Sequence, residues 1–376
     1  MKVEQIIWTP KYNWEMVYDQ GLTEKAQLVL AFGYRSLLED ETLFAELSSL
    51  YPNAELVTCS TSGDILQDEI LHESIAVTAL YFEKTEVKVA EINLDGANTD
   101  SSISKLVGKI STPYLSHVLL FADGMVINGA ELTETLKRSL TNVPVIGGLA
   151  SDGFHTLKTV VGLNDKPISG KAIAVALYGK NIKISSNVGL GWNTFGIKRK
   201  VTKSTKNIVY EIEGKNALDL YRSYLGELSK ELPTSAMLIP IGLLNNETYD
   251  ITIKSVIDVD NRNNGLVFSS NIKEGSTIYF MKSTNESLVQ RAQMAARQGL
   301  AQHRDKMPDF ALVFSSLGRL LTMRQWTEDE LEVINDEFQG TIPISGFYGL
   351  GEIAPHRKHK IGTLHNHSIS VSLFSE

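Results

Sequence analysis

Hydrophobic positions fall into two recurring patterns along the chain. Short continuous apolar runs occupy 27–32, 74–82, 117–121, 172–178 and 310–314. Runs of this kind predict strands buried on both faces. Apolar residues at helical spacing predict helices over 41–50, 130–140 and 327–338. Those residues are Leu43, Leu47 and Leu50, then Leu132, Leu136 and Leu140, then Leu331, Ile334 and Phe338. Thr327, with Glu330 three residues on, reads as a capping box for the last of these. Two more helices are expected near 101–110 and 286–303. The closing run Ile369-Ser370-Val371-Ser372-Leu373-Phe374 alternates at first, which predicts a more polar face.

The two patterns recur in a fixed order. Three segments each give a strand, a helix, a second strand ending in a corner of small residues, and a returning strand. The corners are Cys59-Ser60-Thr61-Ser62-Gly63-Asp64-Ile65, Pro144 to Asp152, and Pro343 to Ile353. A strand, a helix and a parallel strand make a right-handed crossover. The segment between the second and third units is β-rich. Its runs at 251–259 and 265–270 flank a predicted hairpin turn, with Gly265 supplying the positive φ. The class expected is therefore α/β (α+β), with mixed, largely buried sheets and repeated strand–helix–strand–strand units in two pseudo-similar halves.

Composition narrows the function. Lys plus Arg number 36 against 44 Asp plus Glu, a formal net charge of −8. Such a chain offers no broad cationic field for a nucleic-acid backbone, and Lys198-Arg199-Lys200 reads as a solvated face. The longest apolar stretch, Ala236 to Leu244, is broken by Pro240 and Gly242 and is far short of a bilayer span. No apolar segment follows Lys2 as a secretory signal would require. The expectation is a cytoplasmic protein without membrane insertion. The single cysteine, Cys59, excludes an intrachain disulfide and a cysteine zinc cage. No cofactor is expected.

The corners carry the candidate chemistry. Ligands of open parallel sheets lie outside the carboxyl ends of the strands. Glycine lets backbone amides approach a ligand, and Ser, Thr and Asp add directional polar groups. On this reading Cys59, Ser60, Thr61, Gly63, Gly147, Gly148, Asp152, Gly346, Phe347, Tyr348 and Glu352, with Asn366, line a binding site. The bland alternative is tight turns with local caps. Arg319 suits a ligand carboxylate, or else a salt bridge to Glu352 or a helix carboxylate. Asp152 or Glu352 would then take a ligand ammonium. Cys59 as a nucleophile would need a base, and it reads more simply as a small buried hydrophobe. His356, His359, His365 and His367 suggest a metal, but Arg357, Lys358 and Lys360 stand among them and disfavour a cation. No metal site is assigned.

In their order these motifs resemble the FIST sensory domain family. The matching pieces are Cys59–Ile65, the Gly147-Gly148-Leu149-Ala150-Ser151-Asp152 run, Gly191-Trp192, and Asn216–Tyr221. In the carboxy-terminal half they are Gly318-Arg319, Gly346–Ile353 and Leu364–Ser368. The resemblance implies an amino-terminal extension over 1–25, a FIST N-terminal domain over 26–215 and a FIST C-terminal domain over 216–376. It also implies a stand-alone sensor without its own catalysis, binding amino acids or related small metabolites. Its signal would pass to a partner such as a histidine kinase, cyclase or chemoreceptor. Ser315 and Ser316 stand where the family often has a cysteine. Two rivals remain open: an enzyme using Cys59 or a pocket carboxylate, and an assembly module with no ligand.

Overall fold

The computed structural model describes residues 1–94, 98–153, 158–246, 249–356 and 359–376, with backbone alone at 130, 356, 359 and 360. The α/β class holds. Three six-stranded sheets share the order of four of their strands, and a fourth, eight-stranded sheet differs.

In each of the three, a central strand pairs in parallel with the strand that ends in the corner and antiparallel with the returning strand. Leu28–Gly33 lies between Glu55–Ser60 and Ile75–Tyr81. Leu115–Ala122 lies between Val145–Leu149 and Lys171–Tyr178. Phe310–Ser316 lies between Ile344–Gly349 and Ile369–Ser375.

Beyond its corner, each unit gives a strand to another unit's sheet. Asp64–Leu66 crosses to Ile344–Gly349. Gly351–His356 crosses to Val145–Leu149. Val161–Leu163 crosses to Glu55–Ser60. The exchange closes a cycle, so the two halves of the chain are interleaved.

The inner faces of the three sheets share one core. Phe32, Phe121 and Phe314, one from each central strand, meet there with Phe347. Ring centroids lie 5.7 Å apart for Phe32–Phe121 and 4.9 Å for Phe32–Phe347, tilted or edge-on as aromatic quadrupoles prefer. The outer faces are covered by helices. Glu41–Leu50 packs on the first sheet, Thr99–Ile110 and Gly129–Ser139 on the second, and Asn285–Leu300 with Glu328–Glu337 on the third. Burial on both faces explains the unbroken apolar runs. It also overrides the alternation at Ile369–Ser375, where every residue is buried. Ser372 there bonds Ser186 across the strand pair at 2.9 Å.

Two glycines allow the close approach in the parallel pairs of the second and third sheets. Gly147 and Gly346 have φ of 156° and 157°. A Cβ on them would sit 1.9 Å from the Leu120 carbonyl oxygen and 1.6 Å from that of Val313. No side chain fits either place.

Three local readings change. The first 25 residues include Lys2–Thr9 and Asn13–Tyr18, which pair with each other and extend the first sheet. Buried Glu4 and Gln5 break the apolar run there and hid the strand. In the hairpin between Val256–Asp260 and Gly265–Phe268, the positive φ falls on Asn264 (55°), one residue before the glycine. The capping box at Thr327 does not form. Thr327 adopts helical angles and caps nothing with its side chain, and Glu330 is drawn into the interior by a stronger partner, Arg319.

Candidate functional site

The three corners meet and bond to one another. Ser60 Oγ donates to the Ser151 carbonyl at 2.7 Å, and Ser151 Oγ donates to the Tyr348 carbonyl at 2.9 Å. Ser62 N reaches the same Tyr348 carbonyl, and Tyr348 N returns to the Gly63 carbonyl, both at 2.9 Å. Ser62 Oγ and Gly153 N complete the join between the first two corners. Small residues at these positions let backbones approach closely enough for side-chain hydroxyls to bond carbonyls of another sheet.

Beneath the first corner, Asp64 accepts from Thr61 Oγ1 at 2.5 Å and Ser74 Oγ at 2.7 Å. Burial pushes its carboxyl up to about 8. Asp152, itself buried, is paired with the partly exposed Arg35 at 3.0 Å.

The carboxy-terminal motifs gather into a second, contiguous cluster. Arg319 is fully buried and saturated. Its Nε donates to Glu330 at 2.9 Å, its terminal nitrogens to the carbonyls of Leu190 and Leu288, and it also holds Glu330 through Nη2. Glu330 further accepts from Ser315 Oγ at 2.9 Å and Tyr348 Oη at 2.7 Å. Arg319 is therefore a structural ion pair with a helix carboxylate. Burial pushes the Tyr348 phenol up.

Glu352 is buried beside this pair. Ser368 bonds its Oε2, while its Oε1 has no partner. Burial raises its carboxyl well above the ordinary range. His367 is fully enclosed, packed against Gly318 and edge-on to Trp192 at 5.1 Å, with neither ring nitrogen bonded. Burial pushes its imidazole down to about 3. Asn366 ties the third corner to the fourth sheet, donating to the Leu350 carbonyl and accepting from Ser269 Oγ.

The expected site residues are thus brought together, but as a closed hub. Cys59, Phe347 and the backbone of Gly147, Gly148 and Gly346 pack inward. The Phe347 ring fills the space between the central phenylalanines. Burial also raises the Cys59 thiol far above its usual range, which removes the thiolate a nucleophile requires. Among the described residues no three His, Cys, Asp or Glu side chains are placed to hold a metal. The side chains of His356 and His359 lie outside the described residues, and His365 bonds Thr363. No described helix is long and apolar enough to cross a membrane.

An open space lies next to the hub. A cleft of about 300 Å³ runs between the helix Leu317–Met323 and the short 3-10 helices Gly226–Glu231 and Thr234–Leu238, with His72 at one wall. His72 and Tyr348 both pack against Gly63 of the first corner. A second cleft of similar size, lined by Tyr51, Pro52 and Asn164, lies by the strand Glu55–Ser60. The seam was not legible in the sequence, because Glu231 and Ser235 are far in the chain from Leu320 and Arg324. No motif spans that separation.

The scaffold is a repeated α/β one with corners at its strand ends and a small cleft beside them. Family profiles identify it. The FIST N domain matches residues 27–215 and the FIST C domain residues 217–355, so the chain belongs to the FIST family. FIST domains are sensory domains of signal-transduction proteins.

An uncharacterized protein of Methanocaldococcus jannaschii is 25% identical over 285 residues, 68% of this chain and 54% of its own length. An uncharacterized protein of Mycobacterium tuberculosis is 24% identical over 263 residues, 68% of this chain and 67% of its own. The chain thus spans about half the length of the first relative. Among solved structures, a cyanuric acid hydrolase from A. caulinodans covers 78% of this chain and 68% of its own at 12% identity, with a TM-score of 0.24.

Proposed function

We propose that this chain is the ligand-binding part of a signalling system, taking amino acids or related small metabolites and passing the signal to a partner kinase, cyclase or chemoreceptor. The observation that carries the proposal is the hub. Corners from three sheets are hydrogen-bonded directly to one another through Ser60, Ser151 and Tyr348. A ligand that shifts one corner therefore loads all three sheets at once. A signal requires two conformations that bind the ligand unequally, and a shared joint is where a small displacement is amplified.

In this proposal the corner residues, Arg319 and Asn366 form the frame that responds to the ligand. Glu352, whose Oε1 has no partner, lies buried within that frame.

The test is a thermal-shift screen against amino acids, small carboxylates and small amines. A ligand bound by the native state alone raises the melting temperature. The proposal expects at least one compound to do so at millimolar concentration. If none does, the result favours the assembly-module reading.

A further inference from the structure

The cleft at the seam is built differently from the hub. Its floor is aliphatic, formed by Leu238, Leu320 and Leu321. Ser235 sits in it almost fully buried, 3% exposed, with no partner for Oγ. A buried hydroxyl without a partner is unfavourable, and native proteins rarely keep one.

Two opposite charges stand on the same cleft, Arg324 and Glu231. Among the described residues neither side chain takes part in an ion pair. Arg324 also ends its helix with φ of 53°, a conformation that glycine adopts more easily.

We propose that this cleft binds a small zwitterion with an aliphatic tail, an α-amino acid of about the size of leucine. The assignment rests on the sensory reading above and gives it a place and a ligand chemistry. Arg324 takes the carboxylate, Glu231 takes the ammonium, and Ser235 Oγ supplies a hydrogen bond that no protein group now satisfies. The leucine floor takes the tail. A volume of about 300 Å³ is at the small end of ligand pockets, a size that suits a single small metabolite. The ligand would lie one residue from Arg319 along the helix Leu317–Met323 and against His72, which itself packs on Gly63. It would therefore touch the hub without entering it.

The experiment titrates the full chain with L-leucine, and with two half-analogues, 4-methylpentanoate and 3-methylbutylamine, by calorimetry and thermal shift. Leucine is expected to bind at least about tenfold more tightly than either half, a factor equal to about 1.4 kcal/mol. R324Q and E231Q are each expected to weaken leucine by about tenfold or more, with the unligated melting temperature unchanged. S235A is expected to weaken leucine while leaving the unligated protein equally or more stable, since no bond is lost. A merely structural serine would give the opposite stability change. Equal binding of leucine by the wild type and all three variants overturns the cleft assignment and leaves the sensory reading standing. So does a thermal shift from other compounds with none from leucine. Silence from every compound overturns both.

Discussion

The hub and the cleft are neighbours, and they treat polar groups in opposite ways. At the hub, Arg319 uses its guanidinium on Glu330 and two carbonyls, and three serines bond carbonyls of other sheets. At the cleft, Arg324, Glu231 and Ser235 stand within one small space without an ion pair or, for Ser235, a hydrogen bond. Glycine-rich corners at strand ends look like binding loops in a sequence. Here their smallness serves close backbone contact; Glu352 Oε1 and the His367 ring nitrogens are also unpartnered, but in a closed interior, whereas the spare groups next door border open space. What marks a ligand site is unspent polar capacity beside open space.

The sharpest way to break the hub is to put a methyl group where none fits. G346A would place a Cβ 1.6 Å from the Val313 carbonyl. The parallel strands would have to part, and the expected cost exceeds about 4 kcal/mol, read as loss of soluble folded protein. Next comes the charge pair. E330A leaves Arg319 fully buried without its carboxylate and should cost about 3–5 kcal/mol in urea denaturation. The matching change at the cleft, E231A, should stay within about 0.5 kcal/mol. Equal costs for the two would erase the contrast between the regions.

A smaller effect comes with pH. The native carboxyl of Asp64 titrates at about 8, against about 4 in an unfolded chain. Between those values the native state holds a proton that the unfolded chain has released, so Asp64 makes stability fall as pH rises. His367, held down to about 3, acts in the other direction, and its contribution is lost as pH falls from about 6.5. From pH 6.5 to 8 the Asp64 slope stands clear of that of His367. Glu352, also raised by burial, adds a slope of the same sign, so D64N should reduce the measured slope and leave that part, as read by melting temperature in matched buffers. The smallest effect is R324Q without ligand, which should not move the melting temperature at all.

Much of this contrast was out of reach of the sequence, for identifiable reasons. The repeated units were legible because strands covered on both faces need unbroken apolar runs, and helices over them need a leucine stripe. Leu43 and Leu47, or Leu132 and Leu136, say as much alone. The meeting of the corners was also legible, since three similar turns at strand ends must fall on related edges. Their closure was not, because nothing local says that the Phe347 ring fills the centre. The strand exchange was invisible for the same reason, as register between distant strands leaves no local pattern. Glu330 misled directly. Its spacing from Thr327 fits a capping box, but a buried arginine is a stronger partner than an exposed backbone amide. Ser235 and Arg324 carry no motif, and only folding brings them together.

Hydrogen exchange followed by mass spectrometry, with and without L-leucine, tests the account most directly. Added protection is predicted in the segments 226–238 and 317–324, with a smaller change spreading to the corners at 60–64 and 346–350. Protection confined to the corners, with the seam unchanged, would contradict it.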